Sequence, residues 1–197
     1  MYQKMHTFIG ALATILPLAA GAPSSLAPVA RGSSTPGCTS ASFANFSWTI
    51  EAFTFHGQNV YTTPAHLNPY GTVNFNLSNP ALGEDVKCSA SSSAITDFFY
   101  FGITYTCTSP TGSTAKTYFD YNRPTGTVDI NQTWSCTDDV YPVTFTALGS
   151  VNLTLACQTT FYTNPNWQPG TGAIYSEQDT NCTPLTLPLT PYKKVAV

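Results

Sequence analysis

"GSVNLTLACQ", residues 149–158, sets strict alternation, a glycan acceptor and a cysteine within ten residues. Side chains on a strand alternate between faces, so Val151, Leu153, Leu155 and Cys157 share one face and Asn152, Thr154 and Ala156 the other. The first face reads as buried. Asn152-Leu153-Thr154 is an N-glycosylation acceptor whose asparagine falls on the outward side, where a bulky glycan leaves the core intact. With Cys157 inward, the stretch describes a strand of a secreted β-domain stapled by disulfides.

The N-terminus agrees. Lys4 supplies a positive charge, and "FIGALATILPLAA", residues 8–20, is an apolar run shorter than a membrane span. The small residues Ala20-Gly21-Ala22 follow, so residues 1–21 are expected to be a signal peptide and residues 22–37, rich in Ser, Pro and Gly, a flexible leader. The domain is expected over residues 38–190 and a tail over 191–197. The product is expected to be extracellular, with no membrane insertion. Four more acceptors fit that compartment: Asn45, Asn76, Asn131 and Asn181, each followed two residues on by Ser or Thr.

Charged residues make up only 9% of the chain, against about 25% in an ordinary soluble domain, so uncharged polar residues must cover the surface. The formal charge of −3 becomes about −4 once Lys4 is removed with the signal, which leaves no basic footprint for nucleic acid. A mature chain of about 175 residues suits one domain, and aromatic residues at 13% supply its core.

All six cysteines, Cys38, Cys88, Cys107, Cys136, Cys157 and Cys182, follow the signal, and none forms a C-x-x-C pair, so structural disulfides are expected. Sequence leaves 15 connectivities open. Pairing neighbours joins Cys88 to Cys107 and Cys136 to Cys157, with Cys38 and Cys182 tying the ends. Each staple contributes about 3 kcal/mol in the chain-entropy account.

The same alternation recurs along the chain. "FSWTIEAFTF" places Trp48, Ile50 and Ala52 on one face and Thr49, Glu51 and Phe53 on the other. "NVYTT" ends at Pro64, and "GTVNFNLSNP" sets Val73, Phe75 and Leu77 against Asn74, Asn76 and Ser78. "EDVKCSA", "DFFYFGITYTC" and "TYFDYN" read as further strands, and "GTVDINQTWSC" puts Val128, Ile130, Gln132 and Trp134 opposite Asp129, Asn131 and Thr133. "YPVTFTALG", "AIYSEQ" and "PLTLPLT" complete about ten short strands with no helix. The fold class is all-β: a single antiparallel barrel or sandwich, disulfide-stabilised. "FYTNPNWQPGTG", residues 161–172, reads as a long loop whose Trp167 packs against the body or marks a contact.

Chemistry is sparse. His56 and His66 are the histidines beyond the signal, and no nucleophile elbow, H-E-x-x-H or phosphate loop occurs. Glu84-Asp85 and Asp138-Asp139 are adjacent carboxylates in turn-like sequence, where they hold backbone, not substrate. No catalytic residue, metal or cofactor is expected.

The run "FSWTIEAFTFHGQNVYTTPAHLNPYGTVNFNLSNP", with "CSA" at 88–90, "INQTWSC" and "GSVNLTLACQ", resembles the fungal secreted family typified by the major allergen of Alternaria, over about Cys38 to Pro188. The resemblance implies a secreted β-barrel without a catalytic centre, acting as an elicitor, effector or virulence factor on plants. The allergen joins two chains through an odd cysteine, whereas the even count here favours internal pairing, as monomer or homodimer. The expected partner is a host protein met through exposed aromatics such as Tyr162 and Trp167. A small aromatic ligand held in the barrel and a cell-wall hydrolase are the alternatives.

Overall fold

A computed structural model describes residues 37–95, 97–100 and 102–197. The expected signal peptide, and the leader apart from Gly37, lie outside the described residues. The described residues form one short helix and eleven strands in two antiparallel sheets. In the first sheet the order is β3 (Glu84–Ser92), β2 (His66–Asn79), β1 (Trp48–Thr63), β9 (Ser176–Cys182), β8 (Cys157–Thr163), and β10 (Leu185–Leu189) pairs with the start of β1. In the second it is β11 (Lys193–Ala196), β7 (Val143–Asn152), β6 (Thr127–Cys136), β5 (Lys116–Asn122), β4 (Tyr105–Thr106). A bridge between Lys87 and Thr108, beside the Cys88–Cys107 disulfide, joins the sheets along one seam. This is the expected all-β class. Among the described residues no helix is long and apolar enough to cross a membrane.

The inward faces meet in one aromatic core. Phe53 on β1 stacks on Phe75 at 5.5 Å, and Phe75 meets the edge of Phe119 from the opposite sheet at 5.0 Å. Phe46 inserts between Trp48 and Trp134, at 5.9 and 5.8 Å. The interior is thus filled by side chains. Buried polar groups cross it in hydrogen bonds, as burial requires. Gln132 on β6 accepts from the Trp48 indole N–H and the Asn79 amide, both at 2.8 Å, and donates to the Thr117 hydroxyl at 3.0 Å.

Several expectations need correction. "FSWTIEAFTF" carries a bulge at Ala52, whose φ is 50°, so Ala52 is exposed and Phe53 joins Trp48 and Ile50 in the core. An extra residue in one strand shifts every later side chain to the other face. "DFFYFGITYTC" is mostly loop. Phe98 and Phe99 are both buried, which successive strand residues facing one core cannot be, and Phe99 has φ 57°. Phe98 lies over the directly paired Gly57 and Gly71, where a Cβ would come within 2.8 and 2.7 Å of its ring.

"GSVNLTLACQ" is not one strand. Its chain leaves the second sheet after Asn152 and enters the first at Cys157, with Leu153 N–H bonded to Gly126 O at 2.7 Å. Leu153 is buried as expected, but Cys157 is exposed. Gly126 has φ +70° and a Cβ there would meet Leu153 O at 2.6 Å, so the crossing requires glycine.

All six cysteines are bonded, as Cys38–Cys136, Cys88–Cys107 and Cys157–Cys182. The expected Cys136–Cys157 and Cys38–Cys182 pairs are therefore wrong. In the β6–β7 hairpin Cys136 sits opposite Val143 at the turn, while Thr127 faces Asn152 at the far end. Cys157 thus emerges a strand's length from Cys136 and lies directly opposite Cys182 in the β8–β9 pair.

The expected absence of helix fails at α1 (Cys38–Phe43). That turn is held by its disulfide, by the Trp134 indole N–H on Ser42 Oγ at 2.8 Å, and by Asp138, which accepts from the Thr39 hydroxyl and N–H. The Thr39 bonds hold the Asp138 carboxyl below its usual pKa. The expected tail at 191–197 contains β11, paired with β7, and Lys194 Nζ donates to Ala44 O at 2.6 Å just past the helix. A tail reading missed it because four residues carry too little periodicity.

Burial pushes the Tyr121 phenol up to about 12, with Arg123 opposing and Asp97 adding to the rise. Below about pH 10 the phenol is protonated in folded and unfolded chains alike; above it the unfolded chain ionises first. Stability is therefore lost as pH rises from about 10 to about 12. Tyr121→Phe is expected to flatten that loss, leaving a smaller slope from Tyr105, which burial and the Asp120 charge also raise. Denaturant midpoints measured against pH check this; an unchanged slope in the variant contradicts it.

Candidate recognition surface

The core ends near Phe55 and the Gly57–Gly71 pair, but four strands of the first sheet continue past it. Residues 58–63 of β1, 66–70 of β2, 157–163 of β8 and 176–179 of β9 include no buried residue. Both faces of this overhang meet solvent, and β8 is its free edge. Its continued pairing comes from the long β1–β2 hairpin and the Cys157–Cys182 staple.

Register places two rows of side chains on one face. Tyr70, Gln58, Asp179 and Thr160 are successive cross-strand neighbours, followed by Asn68, Val60, Glu177 and Tyr162. Polar bonds brace the middle: His56 Nε2 lies 3.0 Å from Asp179 Oδ2, and Gln58 Nε2 donates to Glu177 Oε1 at 2.6 Å. Asn181 donates to the other oxygen of Asp179. Tyr70 and Tyr162 flank this polar strip, each 51% exposed. Phe161 projects on the opposite face, 76% exposed.

Tyr162 therefore stands on an edge strand, not in the loop expected over 161–172, which begins only after Thr163. The loop's turn residues were legible, but the β8–β9 pairing that extends the strand was not. Trp167 turns to its own loop: its ring meets the Tyr175 ring edge-on at 5.4 Å and its indole N–H donates to Ala173 O at 3.1 Å. It braces the loop while Tyr162 stays open. Tyr70, His56, Asp179 and Glu177 had no place in the sequence-derived site. Alternation in "HGQNVY" and "SEQDTN" hints at shared faces, but only the β1–β9 register brings them together.

The other candidates resolve into structural roles. His66 Nδ1 lies 2.7 Å from Thr62 Oγ1 at the hairpin tip, while His56 is opposite Thr72 near the hairpin's middle, so the two imidazoles do not meet. Glu84 accepts from the Ser113 hydroxyl, and Asp139 accepts from the Val140 N–H at 2.7 Å. Among the described residues the grouped metal-ligand types are Cys38, Cys136 and Asp138, whose two sulfurs are bonded to each other. The acceptors Asn45, Asn131, Asn152 and Asn181 are exposed and Asn76 is half-buried.

These features define a disulfide-stapled, all-β protein that presents a two-faced sheet margin rimmed by aromatic residues. The chain belongs to the Alternaria alternata allergen 1 family, whose model matches residues 50–182. No curated protein and no solved structure matches the chain. The family and the three disulfides are consistent with an extracellular protein.

If the staple holds the overhang, replacing both cysteines, Cys157→Ser with Cys182→Ser, frees its edge and touches the core only at its margin, where Cys182 is 9% exposed. Amide exchange across residues 157–163 is expected to rise about tenfold or more, with residues 128–136 unchanged. Equal acceleration of both segments would contradict a local role.

Proposed function

We propose that this protein is a secreted factor that works by binding a host protein, as an effector or elicitor, and not by catalysis. Membership of an allergen family supports the coarse class. The observation that carries the finer reading is the overhang, where Tyr70 and Tyr162 stand exposed on either side of a braced polar strip. Tyrosine supplies large contact area at low entropic cost, and such residues dominate binding energy at protein interfaces. The strip is already ordered by its own hydrogen bonds, so little further ordering is needed on binding.

The rival carrier reading draws no support from the core, where Trp48, Trp134, Phe53, Phe119 and Phe145 fill the space between the sheets. The hydrolase reading has Glu177 and Asp179 on one face, yet both are engaged in bracing bonds.

Infiltrating purified protein into leaves tests the proposal. A defence or cell-death response is expected from the native protein and not from reduced, alkylated protein. Tyr70→Ala with Tyr162→Ala is expected to raise the dose for half-maximal response about 30-fold or more, with an unchanged melting temperature. A folded variant as potent as the parent would overturn the assignment of this surface.

A further inference from the structure

Asn131 stands exposed in the middle of β6 on the outer face of the second sheet. Directly opposite it are Tyr118 on β5 and Leu148 on β7. Opposed residues of antiparallel strands have their side chains in reach of each other, so anything attached to Asn131 begins beside both. Tyr118 is 39% exposed, and a cleft of about 330 Å³ opens among Tyr118, Asn131, Leu148 and Tyr192.

The cleft also carries Asp120 and Asp129, which are themselves directly opposite across β5 and β6. Two carboxylates in that relation repel. Asp120 Oδ2 accepts from the Thr104 hydroxyl, while its Oδ1 is buried with no hydrogen-bond partner. The cleft therefore offers an apolar, partly aromatic wall beside spare acceptors and no cation. A pyranose has the matching chemistry: one face of C–H groups for the ring and hydroxyl donors for the carboxylates. An acidic ligand would be repelled.

We propose that Asn131 carries an N-linked glycan whose first sugars pack into this cleft against Tyr118, covering the outer face of the second sheet. The inference rests on the secretion reading, because the acceptor Asn131-Gln132-Thr133 meets its transferase only in the secretory pathway. In the transfer, an Nδ2–H bond of Asn131 breaks and an Nδ2–C1 bond forms. The C1–O bond to a lipid-pyrophosphate oligosaccharide donor breaks, the lipid pyrophosphate leaves with that electron pair, the amide proton passes to a base of the transferase, and no oxidant is needed. Other acceptors have different neighbours: Asn76 faces Glu51 and Lys87 across its strands, and the Asn181 amide donates to Asp179. The glycan would cover the exposed rings of Tyr118 and Tyr192 and the half-buried Leu148, and leave the overhang of the first sheet open.

The test is the full chain expressed in a eukaryotic secretory host, once with its own N-terminus and once behind a heterologous leader. Retention of the first form alone sinks the secretion reading and leaves the second to test the glycan. Enzymatic release in heavy-oxygen water followed by peptide mapping is expected to label Asn131. Asn131→Gln is expected to lower Tm by about 2–4 °C, and to have less than half that effect in a Tyr118→Ser background. Native trimming to a single N-acetylglucosamine is expected to preserve Tm. An unlabelled Asn131 in folded, secreted protein overturns the proposal, and so does an equal Tm change, or none, in the two backgrounds.

Discussion

A single buried amide, Gln132, ties the two sheets together. It sits on the second sheet and accepts from Trp48 and Asn79 of the first, while its own amide donates to Thr117 on the neighbouring strand. All three of Asn79, Thr117 and Gln132 are fully or almost fully buried. Asn79 in turn accepts from the Ala81 N–H, so the turn into β3 hangs from the same node. An aromatic core is non-directional and tolerates sliding; a buried amide with its donors in fixed positions does not. Because Trp48 lies at the start of β1 and Gln132 in the middle of β6, this contact sets the registration of one sheet over the other.

That registration explains the division of the molecule. The body below Phe55 is closed by aromatic rings, the bridge at Lys87 and Thr108, and α1 locked onto Trp134 and Cys136. Above it β1 and β2 are longer than the core requires, and β9 and β8 follow them outward. The overhang has no second sheet to pack on, so pairing and the Cys157–Cys182 bond maintain it. A surface on such a margin is free to vary without disturbing the core.

Much of the fold was legible because alternation is a local property. The inward sets at Val73, Phe75 and Leu77, and at Val128, Ile130, Gln132 and Trp134, are buried as the sequence pattern requires. What failed was non-local. Nothing in "FSWTIEAFTF" marks Ala52 as a bulge, since alanine rarely takes positive φ and only the pairing of β1 with both β2 and β10 imposes it. "GSVNLTLACQ" alternates without a break across a change of sheet, so period alone carries Cys157 inward when it is outside. Pairing cysteines by proximity in sequence held for Cys88–Cys107 and failed for Cys136 with Cys157 for the same reason, because a hairpin returns the chain to the far end of its partner. The candidate surface was legible only as Tyr162; its companions come from β2, β1 and β9, and the bracing pairs His56–Asp179 and Gln58–Glu177 lie 123 and 119 residues apart in sequence.

Equilibrium urea unfolding of Gln132→Met tests the central claim most directly, since methionine keeps the volume and removes both the acceptor and the donor. Leaving the Trp48 indole, the Asn79 amide and the Thr117 hydroxyl without their buried partner is expected to lower stability by roughly 2–5 kcal/mol, in one cooperative transition. A loss below about 0.5 kcal/mol, the size of an ordinary surface change, would show that the sheets hold their registration without it.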